Sequence, residues 1–122
     1  MNEHESILVI GASANPNRSS YFATKYLHNK GVSLYTIANK NGKIDDLELS
    51  DQYASIHSVD TISIYLNPDR QKKYYDYILS LHPKRIIFNL GTENPELASI
   101  AKNNCIEIVN GCTIAMFASG LL

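Results

Sequence analysis

The chain has no tryptophan, only two cysteines and two methionines, and its 11 basic residues are outnumbered by 12 acidic ones. Each shortage excludes something. Cys105 and Cys112 lack CxxC spacing, and His4, His28, His57 and His82 form no pair at ligand spacing, so no zinc motif is present. No apolar run approaches the ~20 residues of a membrane span. The opening MNEHES is acidic where a secretory leader begins basic, so reduced thiols and a cytoplasmic location are expected. A formal net charge of -1 carries none of the positive surplus that holds nucleic acid, and any anion has to be held by a local arrangement.

What is present is alternation. With 122 residues, 44% of them apolar, the sequence is expected to form one domain spanning residues 1–122. Short β-rich runs at residues 7–10, 32–38 (VSLYTIA), 61–66 (TISIYL), 85–90 (RIIFNL) and from Cys105 (CIEIV) are separated by crossovers. After the first run, Phe22, Ala23, Tyr26 and Leu27 recur at helical spacing until Gly31, a helix-ending glycine. Asn67-Pro68 and Asn94-Pro95 each read as an N-cap followed by proline at the first helical position. Tyr74, Tyr77, Ile78 and Leu81 mark one face of the helix that follows the first of these caps, with Tyr75 on its flank. Residues 39–60 predict no long helix. Parallel neighbours need a return connection of about a dozen residues or more, so the expected fold is α/β: a Rossmann-like three-layer α/β/α sandwich around a five-stranded, mostly parallel sheet. The apolar CTIAMFASGLL tail is expected to dock on the sheet edge.

In such a sheet, ligands sit beyond the carboxyl ends of the strands, where strand order reverses. The stretch GASANPNRSS occupies that place. Gly11 admits close backbone approach, Ala12, Ser13 and Ala14 keep the turn small, and a helix starting near Ser19 or Ser20 offers free N–H groups to a phosphate, with Arg18 at the rim. A tight strand-to-helix turn alone would also explain the glycine. The loop matches neither GxGxxG nor a Walker sequence. A NAD site places an acid at the end of the second strand, but this chain reads Ile37-Ala38-Asn39-Lys40 there. A lysine suits a ribose bearing an extra phosphate, as in coenzyme A or NADP.

GASANPNRSSY, the Lys40-Asn41-Gly42 turn, NLGTEN and NGCTIAMF together resemble the small single-domain CoA-binding proteins, which are similar to the CoA-binding domain of the succinyl-CoA synthetase α-subunit. The resemblance runs from Ile7 to about Phe117. It implies a Rossmann-like domain holding coenzyme A or an acyl-CoA, with Gly11, Ala12, Ser13, Asn15, Arg18 and Ser19 along the pyrophosphate and Lys40 toward the phosphorylated adenosine. Leu66, Asn67 and Pro68 after the third strand, and Asn89, Gly91, Thr92 and Glu93 after the fourth, would line the rest of the groove. The family often reads N-P-K where this chain has Ala38-Asn39-Lys40, and F-N-P-G where it has Phe88-Asn89-Leu90-Gly91.

Paired catalytic residues are missing. Glu93 reads as an acid serving a helix start, Cys112 as a small buried hydrophobe, Cys105 as core, and His57 as a solvated loop residue. His82 would end its helix as a cation favoured by the dipole. The leading expectation is a non-catalytic carrier, sensor or regulatory module for a CoA-type nucleotide, with no nucleic acid or membrane partner. The alternatives are a small NADP- or CoA-thioester-dependent enzyme using Cys112 or Glu93, and an interaction module with an empty groove that forms a homodimer through residues 114–122; an unknown protein partner is the other open expectation.

Overall fold

In chain order the elements are β1 (Ile7–Ala12), α1 (Ser19–Asn29), β2 (Leu34–Ala38), β3 (Gly42–Ile44), β4 (Leu47–Leu49), β5 (Thr61–Ile64), α2 (Pro68–Gln71), α3 (Tyr75–Ser80), β6 (Arg85–Phe88), α4 (Pro95–Asn103), β7 (Glu107–Asn110) and α5 (Thr113–Ala118). A 3-10 turn (Lys72–Tyr74) joins α2 to α3. The structure, a computed structural model, describes residues 5–122; His4 and most of the acidic opening segment lie outside them.

The main sheet runs β2-β1-β5-β6-β7, and all four pairings are parallel. Successive side chains of a strand point to opposite faces, so a central parallel strand must be apolar throughout and covered twice. β1 meets this condition. Leu8 and Ile10 enter one core with Ile62, Ile64, Ile86 and Phe88, beneath Ile78 of α3 and Leu97 of α4. Ile7 and Val9 enter the other with Ile87, beneath Leu27 of α1 and Phe117 of α5. The result is the expected Rossmann-like α/β fold, with helices on both faces of the sheet.

Each of the five expected strands is present; β1 runs on to Ala12, beyond its apolar run, and the other four are shorter than theirs. Val32 still belongs to the end of α1, where its N–H reaches Leu27 O at 3.4 Å and Gly31 takes φ +74, the left-handed position that glycine enters at little cost. Cys105 occupies the equivalent position after α4, with φ +61, and is exposed. The expectation that it is core is therefore wrong: the Cys105 and Ile106 N–H groups close the helix on Lys102 O and Ala101 O, and Ile106 is the residue that turns inward.

Both Asn-Pro caps form as read. Asn67 accepts from Arg70 N and Asn94 from Leu97 N through their side chains. Tyr74 is buried, and Tyr75 and Tyr77 are half-buried. Phe22 departs from expectation. It is 57% exposed, because Ser20, Ala23, Thr24 and Leu27 form the buried stripe of α1. The C-terminal segment also differs: α5 lies over the sheet's face, not its edge. There Phe117 meets Tyr26 of α1 edge-on at 5.9 Å, and Leu122 joins the core of Ile7 and Val9.

No long helix fills the link from β2 to β5; an antiparallel β3–β4 hairpin does, with Ile44 paired to Leu47 across Asp45-Asp46. Ile44 and Leu49 are buried in the α1-side core, and Ala38 N donates to Ser50 O at 2.9 Å. Among the described residues, no helix is long and apolar enough to cross a membrane.

Candidate functional site

Strand order reverses between β1 and β5, because the chain leaves β1 toward β2 on one side and later returns to β5 on the other. A crevice opens at such a point beyond the strand ends. Here it is a cleft of two lobes, each of about 320 Å³, which share Gly11, Asn39, Leu66 and Arg70. The loops after β1, β2 and β5 build it.

The loop after β1 is shaped by its own side chains. Ser13 Oγ accepts from Asn15 N at 3.0 Å, Asn15 Oδ1 accepts from Asn17 N at 3.0 Å, and Arg18 N donates to Asn15 O at 3.0 Å. Gly11 has φ +97, and a Cβ there would lie 3.0 Å from the Tyr65 carbonyl carbon and 3.0 Å from Leu66 Cδ2. Contact with the end of β5 is thus sufficient reason for this glycine. Where α1 begins, no side chain caps the helix. Among the described residues, the N–H groups of Ala14, Ser19 and Ser20 have no hydrogen-bond partner, and all three residues line the first lobe. An uncapped helix start combines open donors with the positive end of the helix dipole, and both favour an anion.

Arg18 and Lys40 line the first lobe, Lys72 and Lys73 the second, and Arg70 both. Among the described residues none of these five pairs with an acid, whereas Lys25, Lys43, Lys84 and Arg85 are all ion-paired elsewhere. Asp69 is the acid of the second lobe. A chain of net charge -1 therefore places five of its 11 Lys and Arg residues around one cleft, where like charges focus the potential on an incoming anion.

The hairpin fixes one wall. Asn41 leads into Gly42, where a Cβ would come 2.9 Å from Ala14 Cβ, so β3 rests directly on the loop after β1. His28 Nε2 meets Asp46 Oδ1 at 2.7 Å and Lys25 Nζ approaches Asp45 Oδ2 at 3.9 Å, tying the hairpin turn to α1. The His28 interaction holds the Asp46 carboxyl below its ordinary range.

The groups after β5 and β6 divide. Leu66 lines both lobes, while Asn67 and Pro68 begin α2 outside them. Asn89, expected to line the groove, is buried instead, and its amide is saturated within the protein. Its Nδ2 donates to Ser63 Oγ and Ile64 O, and its Oδ1 accepts from Thr113 N and Thr113 Oγ1. Thr92 is buried too, donating to Asn89 O at 2.7 Å. Glu93 is exposed, but its carboxylate accepts from Gly91 N at 2.9 Å, so it closes its own loop and does not serve the start of α4. Cys112 is exposed, contrary to its reading as a buried hydrophobe, because it stands outside α5 as the N-cap while Thr113 turns inward. It lies near Tyr65, which lines the first lobe. Burial pushes the Tyr65 phenol up to about 12, with the Cys112 charge adding to the rise and Thr113 and Ser63 opposing it. At neutral pH Tyr65 is a neutral wall.

Sequence reading did not single out Asn39, Asn41, Tyr65, Arg70, Lys72 or Lys73 as cleft residues. For the last three a signal existed: the basic PDRQKK run directly follows the third strand of the sheet. Among the described residues, no group of three or more His, Cys, Asp or Glu side chains could hold a metal ion.

Sheet order, a switch-point cleft and an uncapped helix at its rim define a Rossmann-like α/β domain. Residues 5–118 match the model of the CoA binding domain family, and the chain belongs to that family. A solved structure described only as an uncharacterized protein is 40% identical, with a TM-score of 0.91 over 99% of this chain and 100% of that one. A hypothetical protein from Pyrococcus horikoshii OT3 is 22% identical, with a TM-score of 0.81 over 95% of this chain and 83% of that one. A Thermus thermophilus protein is 18% identical, with a TM-score of 0.81 over 94% and 89%; these last two likenesses concern the fold. No curated protein matches the chain significantly.

Proposed function

We propose that the cleft between β1 and β5 binds coenzyme A or an acyl-CoA and that the domain acts as a non-catalytic carrier, sensor or regulatory module. The observation that carries this reading is the set of open N–H groups on Ala14, Ser19 and Ser20 beside Arg18 and Lys40. They supply donors and charge for a diphosphate without any acid that would prefer an unphosphorylated ribose. Family membership gives the ligand class. When bound, coenzyme A would contribute the thiol or thioester, and this chain's residues would orient and shield its anionic end.

The test is calorimetry and thermal shift with CoA, acetyl-CoA, dephospho-CoA, NAD and NADP at two salt concentrations. Expected is saturable CoA binding that weakens as salt rises, with NAD giving no shift. Absence of any CoA heat or shift refutes the reading. A second reading, thioester chemistry through Cys112, is favoured by the exposure of that thiol near a cleft residue. It requires turnover that Cys112→Ala abolishes while CoA binding persists.

A further inference from the structure

We propose that Lys72 and Lys73, together with Arg70, form a second anion subsite that takes the ribose phosphate of the nucleotide, separate from the diphosphate seat at the start of α1. The inference rests on the CoA reading above and assigns a role to the lobe which that reading leaves unused.

The two lobes differ in what they offer. The first has open backbone N–H groups and small side chains, which suit a phosphate held close to the chain. The second has none of the loop's N–H donors. Its walls are Ile37, Ala38, Leu66 and Tyr74, apolar surface of the kind that covers a nucleotide's base or sugar. Three cations stand around that surface, opposed by Asp69 alone. Lys72 and Lys73 are exposed, and neither meets an acid among the described residues; Lys73 Nζ lies 5.1 Å from the Tyr74 ring centroid, over the wall itself.

Solvated lysines on a turn need no function, but two features separate these from that case. They converge on a cavity of about 320 Å³ that is continuous with the diphosphate seat through Gly11, Asn39, Leu66 and Arg70. Their mounting is also stiff for its length. Asn67 caps α2, and the buried Gln71 amide is held by Leu66 O at 2.9 Å and Thr92 O at 2.8 Å. A ligand with a diphosphate and no other anion engages the first lobe's charges only. One with a further phosphomonoester on its ribose, one sugar away from the diphosphate, reaches both.

The experiment compares CoA with dephospho-CoA on the wild type and on a Lys72→Gln/Lys73→Gln double variant by titration calorimetry, with circular dichroism to confirm the fold. Wild type is expected to prefer CoA, and the double variant to lose about tenfold of that preference, the scale of one charge-assisted contact, while its dephospho-CoA affinity stays within about twofold. An unchanged ratio in the variant overturns the subsite but leaves the CoA reading standing. Equal losses for both ligands, or a wild type that does not discriminate, do the same. A wild type that binds neither ligand overturns both.

Discussion

Substituting Gly11 with alanine separates the two reasons a glycine can sit at a strand end. Its φ of +97 is a conformation that L-residues rarely adopt, and holding alanine there costs about 1–3 kcal/mol. The new methyl would also meet Tyr65 C and Leu66 Cδ2, each at 3.0 Å. Leu66 is half-buried and its side chain can turn aside, but the Tyr65 backbone is fixed by its 2.9 Å hydrogen bond to Ile10 O. Relieving that contact means shifting β1 against β5, an overpacking strain of about 1–3 kcal/mol. The combined loss of about 2–6 kcal/mol is a large part of the ~5–15 kcal/mol that holds a domain folded. Gly31→Ala is the control. That residue has φ +74 but no atom within 4 Å of an added Cβ, so only the left-handed cost of about 1–2 kcal/mol applies. With no tryptophan to report unfolding, urea titrations followed by far-ultraviolet circular dichroism would measure both. A Gly11→Ala loss within about 0.5 kcal/mol of the Gly31→Ala loss refutes the argument that β5 dictates this glycine, since surface-level effects are of that size.

Asn89→Ala should cost about 1–3 kcal/mol, since it leaves Thr113 N without its buried partner and takes one of two donors from Ile64 O; CoA affinity measured well below the melting temperature should hold, and a tenfold fall with stability intact would show that the amide touches ligand. Acid should weaken the fold through Glu5 and Asp60. Burial pulls Glu5 upward, but hydrogen bonds from Arg85 and Lys84 outweigh it and hold its carboxyl below the ordinary 4.5. The Ser6 backbone N–H holds Asp60 below 3.8. Carboxyls lowered in the folded state contribute stability that is complete above their unfolded values and is lost as pH falls through the folded ones. Arg85→Met should therefore be less stable than wild type at neutral pH, with a gap that closes as pH drops below about 4.5; urea midpoints showing a constant gap would contradict this.

What was legible in the sequence is what depends on neighbours along the chain. Asn67-Pro68 and Asn94-Pro95 announced helix starts because a cap acts over three residues, and the apolar run before Gly11 announced a doubly covered strand for the same local reason. The β3–β4 hairpin escaped because its strands have three residues each, too short for a period to emerge from NKNGKIDDLELSDQY. Ile44, Leu47 and Leu49 around the Asp45-Asp46 turn were its trace. Asn89 was misassigned for a different reason. Its place at a strand end is the place of a ligand contact, and only the approach of Thr113, 24 residues on, shows that its amide is already used. Cys105 and Cys112 reversed in the same way, since the residue that turns inward beside each is its successor, Ile106 or Thr113.

The same contrast explains why net charge conceals the site. Summed over the chain, acids cancel bases to -1. Folding sorts them. At the opposite ends of the strands Glu5, Asp60 and Glu107 neutralise Lys84 and Arg85, and along α1 and the hairpin Asp45, Asp46 and Glu48 occupy Lys25, His28 and Lys43. Arg18, Lys40, Arg70, Lys72 and Lys73 meet no acid among the described residues at the carboxyl ends of the strands, where Asp69 is the acid that shares the lining. A pairing of this kind is a property of strand order, not of spacing along the chain. The hairpin that ties down the acids beside α1 also seats Lys40 and Asn41 against the loop after β1, so one element both removes competing negative charge from the cleft and builds its wall.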